Sequence, residues 1–125
     1  MPKASSVQVE WEDQKNINEF NKLNNRWHEL QIEVKTLERY AEDLEEAGNE
    51  LMLVDDDEVR YAMSDCLFVH LPREELEELI EGKQRKAEQD LADTRARAKT
   101  AEKDMESLKA TLYAKFGNSI NLEED

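Results

Sequence analysis

Leucine stands at positions 23, 30, 37, 44 and 51, five times at an interval of seven. A second apolar column, Phe20, Trp27, Val34, Ala41 and Gly48, runs three residues ahead of it, so the apolar steps read 3, 4, 3, 4. A period of about 3.5 residues is that of a coiled-coil seam and is narrower than the face of a globular helix. Upstream, Trp11 and Ile17 are also apolar, and Glu12 and Asp13 suit the positive end of a helix. The pattern predicts a first helix over about 11–53. Composition agrees with long helices joined by little loop. Of 125 residues, 38 % are charged, and there are only three glycines and two prolines. A sandwich, a barrel within one chain or a Rossmann unit needs more turn residues than that.

A second ladder starts at Leu76 and Ile80 and continues through Ala87, Leu91, Thr94, Ala98, Ala101, Met105, Leu108 and Leu112. Pro72 fits its first turn and Glu74 and Glu75 follow, which predicts a second helix over about 73–116. This ladder is thin where the first is thick. If the chain folds back on itself, pairs have numbers summing to roughly 127, at ~1.5 Å per residue in both helices. Trp27 then lies across from Ala98 and Ala101, Phe20 near Met105 and Leu108, and Trp11 across from Phe116. Large against small fills the gap without overpacking. The seam residues are Phe20, Leu23, Trp27, Leu30, Leu37, Leu44, Leu91, Met105, Leu108 and Leu112. The expected fold is mainly α, an antiparallel coiled-coil hairpin in a single domain.

Between the ladders the acidic run Asp55-Asp56-Asp57-Glu58 ends the first helix. Val59, Tyr61 and Met63 then alternate, followed by Cys66, Leu67, Phe68, Val69, His70 and Leu71, with Ser64-Asp65 as a turn. This predicts one β-hairpin over about 59–71. A lone two-stranded hairpin is marginal in water and leaves both edges unpaired. Val59, Tyr61, Met63, Cys66, Leu67, Phe68 and Val69 are therefore expected to hold an oligomer together.

The net charge of −14 repels phosphate, so nucleic acid and anionic membranes are poor partners. The single Cys66 fits a reducing compartment, and no apolar run reaches the ~20 residues of a membrane span. No signal-peptide core opens the sequence, so cytosol or nucleus is expected. Cys66 and His70 would lie roughly 13 Å apart on a strand, too far to share zinc. The acidic run lacks the spacing of a calcium loop. With no phosphate loop, nucleophile motif or metal cluster, neither enzyme activity nor a cofactor is expected.

Four stretches resemble a known family. VQVEWEDQKNINEF (7–20) is similar to an entry segment that reads V-x-V-x-[FW]-E-D-Q-x-x-I-N-x-F. The segment from Leu51 to Asp57 resembles its acidic helix exit, RYAMSDCLFVHLPREE its hairpin and second-helix start, and LYAKFGNSINLEE its C-terminal signature. These are features of the β-type prefoldin subunits, the prefoldin beta-like family, and of its subunit 4 branch. Ser64 departs from the glycine usual before the aspartate. The resemblance implies a subunit of a hetero-hexameric cytosolic co-chaperone, whose hairpins build a shared β-barrel with other α-type and β-type subunits. Its coiled-coil tips would hold non-native actin and tubulin without ATP and deliver them to the group II chaperonin.

On that reading the apolar cluster around the seam's far end has a use. Trp11, Ile17, Phe116, Ile120 and Leu122 are the candidate client-binding residues, with Phe116, Ile120 and Leu122 partly exposed because Gly117 breaks the helix. Residues 117–125 are then a flexible tail. Alternatively the aromatic residues merely close the coil, Trp11 on Phe116. Glu123, Glu124 and Asp125 read either as a solvated tail or as a docking group for basic chaperonin patches. The rival to a chaperone is a structural tether or scaffold with no client; the lone hairpin and the apolar end argue against it.

Overall fold

A computed structural model of the chain describes residues 8–55, 58–62 and 68–122. Its elements are α1 (Trp11–Met52), β1 (Glu58–Ala62), β2 (Phe68–Pro72) and α2 (Arg73–Phe116), followed by a 3-10 turn over Gly117–Ser119. The fold is mainly α, two long helices with an antiparallel β-hairpin between them. The helices are rich in Glu, Lys, Leu and Ala, which lose little rotamer freedom in a helix. Acidic groups occupy the first turn of each, Glu12 and Asp13 in α1 and Glu74 and Glu75 in α2. Pro72 closes β2 and not the first helical turn, so Arg73 is the residue that opens α2.

The chain forms two compact units. One, here the hairpin unit, is residues 33–93; the other, the terminal unit, joins residues 1–32 to 94–125. In the hairpin unit Val34, Leu44, Leu51, Leu76 and Ala87 are buried, while Leu37, Ile80 and Leu91 are half-buried. Gly48 faces Ile80 there, a pair whose numbers sum to 128. In the terminal unit Phe20, Leu30, Ala98, Ala101, Leu112 and Phe116 are buried, and Leu23, Trp27, Met105 and Leu108 are half-buried. Asp13 meets Lys115 in that unit, again a pair summing to 128. Leu30 and Leu112 are the large side chains most completely withdrawn from water, each 1 % exposed.

The hairpin pairs Val59 with Leu71 and Tyr61 with Val69. Those four side chains are half-buried, whereas Arg60, Ala62, His70 and Pro72 between them are exposed. Strand period 2 puts the first set on one face. On that side Val59 and Tyr61 line a cleft of about 370 Å³ with Leu44, Leu51, Leu76 and Ile80. The helices thus supply the covering layer that an isolated hairpin lacks. Lys83 Nζ donates to Tyr61 Oη at 2.9 Å and sits 5.5 Å from the ring centroid, tying α2 to β1. That bond raises the Lys83 pKa above its ordinary value.

Arg73 joins the two helices at one point. The last turn of α1 carries no basic residue, leaving its carbonyls without a cation of their own. Arg73 Nη1 donates to Val54 O, Nη2 to Met52 O at 3.2 Å, and Nε to Glu77 at 3.2 Å. The first residue of α2 is therefore the cap of α1. Met63, Cys66 and Leu67 of the expected hairpin set lie outside the described residues, as does the turn expected at Ser64-Asp65.

Candidate functional site

The terminal unit brings together residues from both chain ends. Glu10 is the N-cap of α1: its carbonyl accepts from Gln14 N–H at 3.0 Å. Its own N–H donates to Asp13 Oδ2 at 3.0 Å, the reach-back half of a capping box. Asp13 is buried, 8 % exposed, because Lys115 of α2 lies against it. Lys115 Nζ donates to Asp13 Oδ2, lies 3.7 Å from Glu10 Oε2 and sits 5.7 Å from the Phe116 ring centroid. The Lys115 hydrogen bond, helped by the Glu10 backbone N–H, holds the Asp13 carboxyl below its ordinary pKa. Asp13 in turn pushes Lys115 up. One carboxylate thus caps α1 and fastens it to the last turn of α2.

This latch changes where the aromatic residues go. Trp11 does not pack on Phe116; it is 78 % exposed, with Val9 at 54 %. At 100° per residue Trp11 lies 200° round the helix from Asp13, so it points off the seam. Phe116 is not partly exposed but buried at 5 %. It falls four residues after Leu112 on the α2 seam, and the helix ends only after it. Gly117 supplies the stop with φ +56, a left-handed conformation that a side chain disfavours. Ile17 is half-buried.

Beyond Gly117 the chain turns back over the unit. Ser119 Oγ donates to Phe116 O at 2.9 Å, and Leu122 N–H donates to Tyr113 Oη at 2.8 Å. Ile120 and Leu122 are half-buried. Leu122 lines a groove of about 240 Å³ with Asn24, Trp27, Glu102, Met105, Glu106 and Lys109. Trp27 Nε1 is buried, with no hydrogen-bond partner among the described residues. Residues 117–122 thus carry two hydrogen bonds back to the last turn of α2. A second groove, about 360 Å³, runs along Leu23, Leu30, Ala101 and Thr100.

The remaining candidates fall elsewhere. Val59, Tyr61 and Val69 lie on the half-buried hairpin face in the hairpin unit. Phe68 opens β2 opposite Ala62. Glu123, Glu124 and Asp125 lie outside the described residues. Sequence reasoning saw Asp13 only as a charge suited to the start of α1, and gave no site role to Lys115, Tyr113 or Arg73. The pair Glu10 and Asp13 at capping-box spacing, read with the fold-back register, would have found the first two. Among the described residues no cluster of His, Cys, Asp or Glu could hold a metal ion, and no helix is long and apolar enough to cross a membrane.

Comparison with known proteins gives this geometry a family. The profile of the family described as "Prefoldin subunit" matches residues 14–119. Human prefoldin subunit 4 is 34 % identical over 124 residues, covering 98 % of this chain and 92 % of the relative. The probable prefoldin subunit 4 of Dictyostelium discoideum is 40 % identical over 113 residues, 90 % of this chain and 85 % of the relative. Prefoldin subunit 4 of Saccharomyces cerevisiae is 32 % identical over 120 residues, covering 95 % and 92 %. The crystal structure of the prefoldin beta subunit from Thermococcus strain KS-1 shares the fold at a TM-score of 0.77. Its identity is 12 %, with 89 % of this chain and 97 % of that one covered. Family profile, relatives and fold agree: the chain belongs to the prefoldin subunit family of chaperone components.

Proposed function

We propose that this chain serves in a hetero-hexameric prefoldin complex, holding non-native proteins at its coiled-coil ends without ATP and passing them to the group II chaperonin. Actin-type and tubulin-type chains are the clients this reading names. The observation that carries it is the exposure of Trp11, at 78 %, beside Val9 at 54 %. Large apolar side chains presented together to water mark a binding surface. Burying each against an unfolded chain is worth about 1.5–3 kcal/mol before ordering costs are subtracted. Half-buried Ile17, Ile120 and Leu122 belong to the same unit and extend the apolar character. Phe116 supports the surface from beneath and does not contact the client. The hairpin, through Val59, Tyr61, Val69 and its neighbours, joins the barrel shared with other subunits. Glu123, Glu124 and Asp125 dock to basic chaperonin patches.

The test is a reconstituted hexamer carrying Val9→Ser and Trp11→Ser together. Suppression of client aggregation should fall for several denatured clients, at low and high salt alike, with the hexamer intact. Apolar capture is only weakly screened by salt, whereas tail docking is screened. Exchanging Glu123, Glu124 and Asp125 for their amides should spare suppression and weaken chaperonin docking at low salt. Unchanged suppression for every client would leave the chain a structural tether.

A further inference from the structure

We propose that residues 117–122 are an internal strap seated in a peptide-binding groove, and that an extended client segment enters by displacing it. The inference rests on the client-holding role above and names the site and chemistry of the contact. Three observations support it. Leu122 lines the groove beside Trp27 and Met105, as an aliphatic side chain of a bound peptide would. Its backbone N–H donates to Tyr113 Oη at 2.8 Å, a bond any extended polypeptide can make in its stead. The indole N–H of Trp27 is buried and unpartnered among the described residues. A buried donor left unpaired is disfavoured, and a ligand that brings an acceptor relieves it. A backbone carbonyl is the acceptor that an unfolded chain always carries.

The groove's charge says which segment fits best. Glu102 and Glu106 line it together with the single cation Lys109. The strap, residues 117–122, brings no cationic side chain to that rim. A segment with one aliphatic side chain followed by Lys or Arg is matched well. The strap is thus a weak resident ligand of the right shape and no matching charge. It keeps Trp27 covered when no client is present and gives way to one that binds better. A groove closed in part of the population lowers apparent affinity by the open fraction.

The experiment uses the assembled complex with Trp11→Phe, which leaves Trp27 as the chain's only tryptophan. A labelled synthetic peptide containing SINLKK is titrated against it, with one containing SINLEE as comparison, following label anisotropy and Trp27 emission. The lysine peptide should bind more tightly, with a difference that shrinks as salt rises. Leu122→Ser, and separately removal of residues 117–125, should each tighten binding at least about threefold by freeing the groove. Trp27→Phe should weaken it by about threefold or more, corresponding to one lost hydrogen bond. Helical circular dichroism and complex assembly confirm that each variant folds; Leu122→Ser keeps the test available where the truncation does not. Weaker or unchanged binding on loosening the strap overturns the proposal, as does an unchanged affinity with Trp27→Phe. These readouts do not involve aggregation suppression. Failure of the Trp11 surface and failure of the strap are therefore separate results.

Discussion

Replacing Leu30 by alanine tests how the terminal unit is held together. Leu30 is 1 % exposed. Truncation removes three carbons, at about 0.8 kcal/mol each for transfer, or about 2.4 kcal/mol. The space left, roughly 75 Å³ before relaxation, adds up to about 1.8 kcal/mol at ~24 cal/mol per Å³. Ala101, which lines a groove with Leu30, is small and already buried, so it cannot swing in to fill the space. The open groove beside Leu23, Leu30 and Ala101 lets the helices close partway, however. A loss of about 3 kcal/mol follows, near the middle of the range for buried leucines. Since about 1.4 kcal/mol is a factor of ten, exchange from the unit's opened state should quicken on the order of a hundredfold. Hydrogen exchange by mass spectrometry on the assembled complex reads this directly. Peptides from residues 11–32 and 94–116 should lose protection and those from 33–93 should keep it, because the two sets form separate compact units. Equal loss in both sets, or a change under about threefold, would refute the argument from burial and unit boundaries.

Acid should loosen the terminal unit first. Asp13 titrates below its ordinary value of 3.8, so its contribution is full above that pH and is lost as pH falls through the lowered folded value. Lys115 titrates above 10.5, so its contribution is full below that pH and is lost only as pH rises through the raised value. Stability from this pair is flat near neutrality, and Asp13→Asn should abolish the acid-dependent part of terminal-unit exchange; an unchanged acid profile would remove the latch from the account. Arg73→Ala should destabilise the hairpin unit by about 1–2 kcal/mol in chemical denaturation, through the two carbonyls of α1 that it caps, while Arg73→Lys recovers only part. Val69→Asp puts a charge on the half-buried hairpin face, so light scattering should show subunits released while helical circular dichroism persists. An intact complex containing that variant would move the assembly contacts away from this face.

The seam was legible because it repeats. Leu30, Leu44 and Leu112 announce themselves by spacing alone, and the fold-back register needs only the rise of a helix. The hairpin was legible through its alternation, and the face shared by Val59, Tyr61, Val69 and Leu71 follows from it. The ends were not legible, for a physical reason. Where a periodic pattern stops, one residue either way turns a side chain by about 100°, and two reverse it. Trp11 could be read either as a client-facing residue or as a lid on Phe116; it is exposed, and Asp13 holds the seam position because Lys115 neutralises it. Phe116 looked exposed because glycine follows, yet glycine's left-handed turn comes one residue too late to expel it. Arg73 was hidden for a different reason: its partners are backbone carbonyls, which every residue carries and no sequence pattern marks.

The latch between Asp13 and Lys115 also bears on how the chain reaches its fold. Its partners are 102 residues apart, whereas Arg73 meets Met52 across 21 and Val54 across 19. Each doubling of a closed loop costs about 0.6 kcal/mol more in entropy, so the fivefold longer closure starts about 1.4 kcal/mol behind. The hairpin unit can therefore form from local contacts, while the terminal unit waits for a distant partner. During synthesis residues 11–32 are made well before 94–116. Phe20, Leu23, Trp27 and Leu30 must stay in solution in the meantime with their seam uncovered. Under the proposed role, an end that would bind unfolded polypeptide thus passes through a stage in which it is itself unfolded apolar polypeptide, and closing the latch ends it.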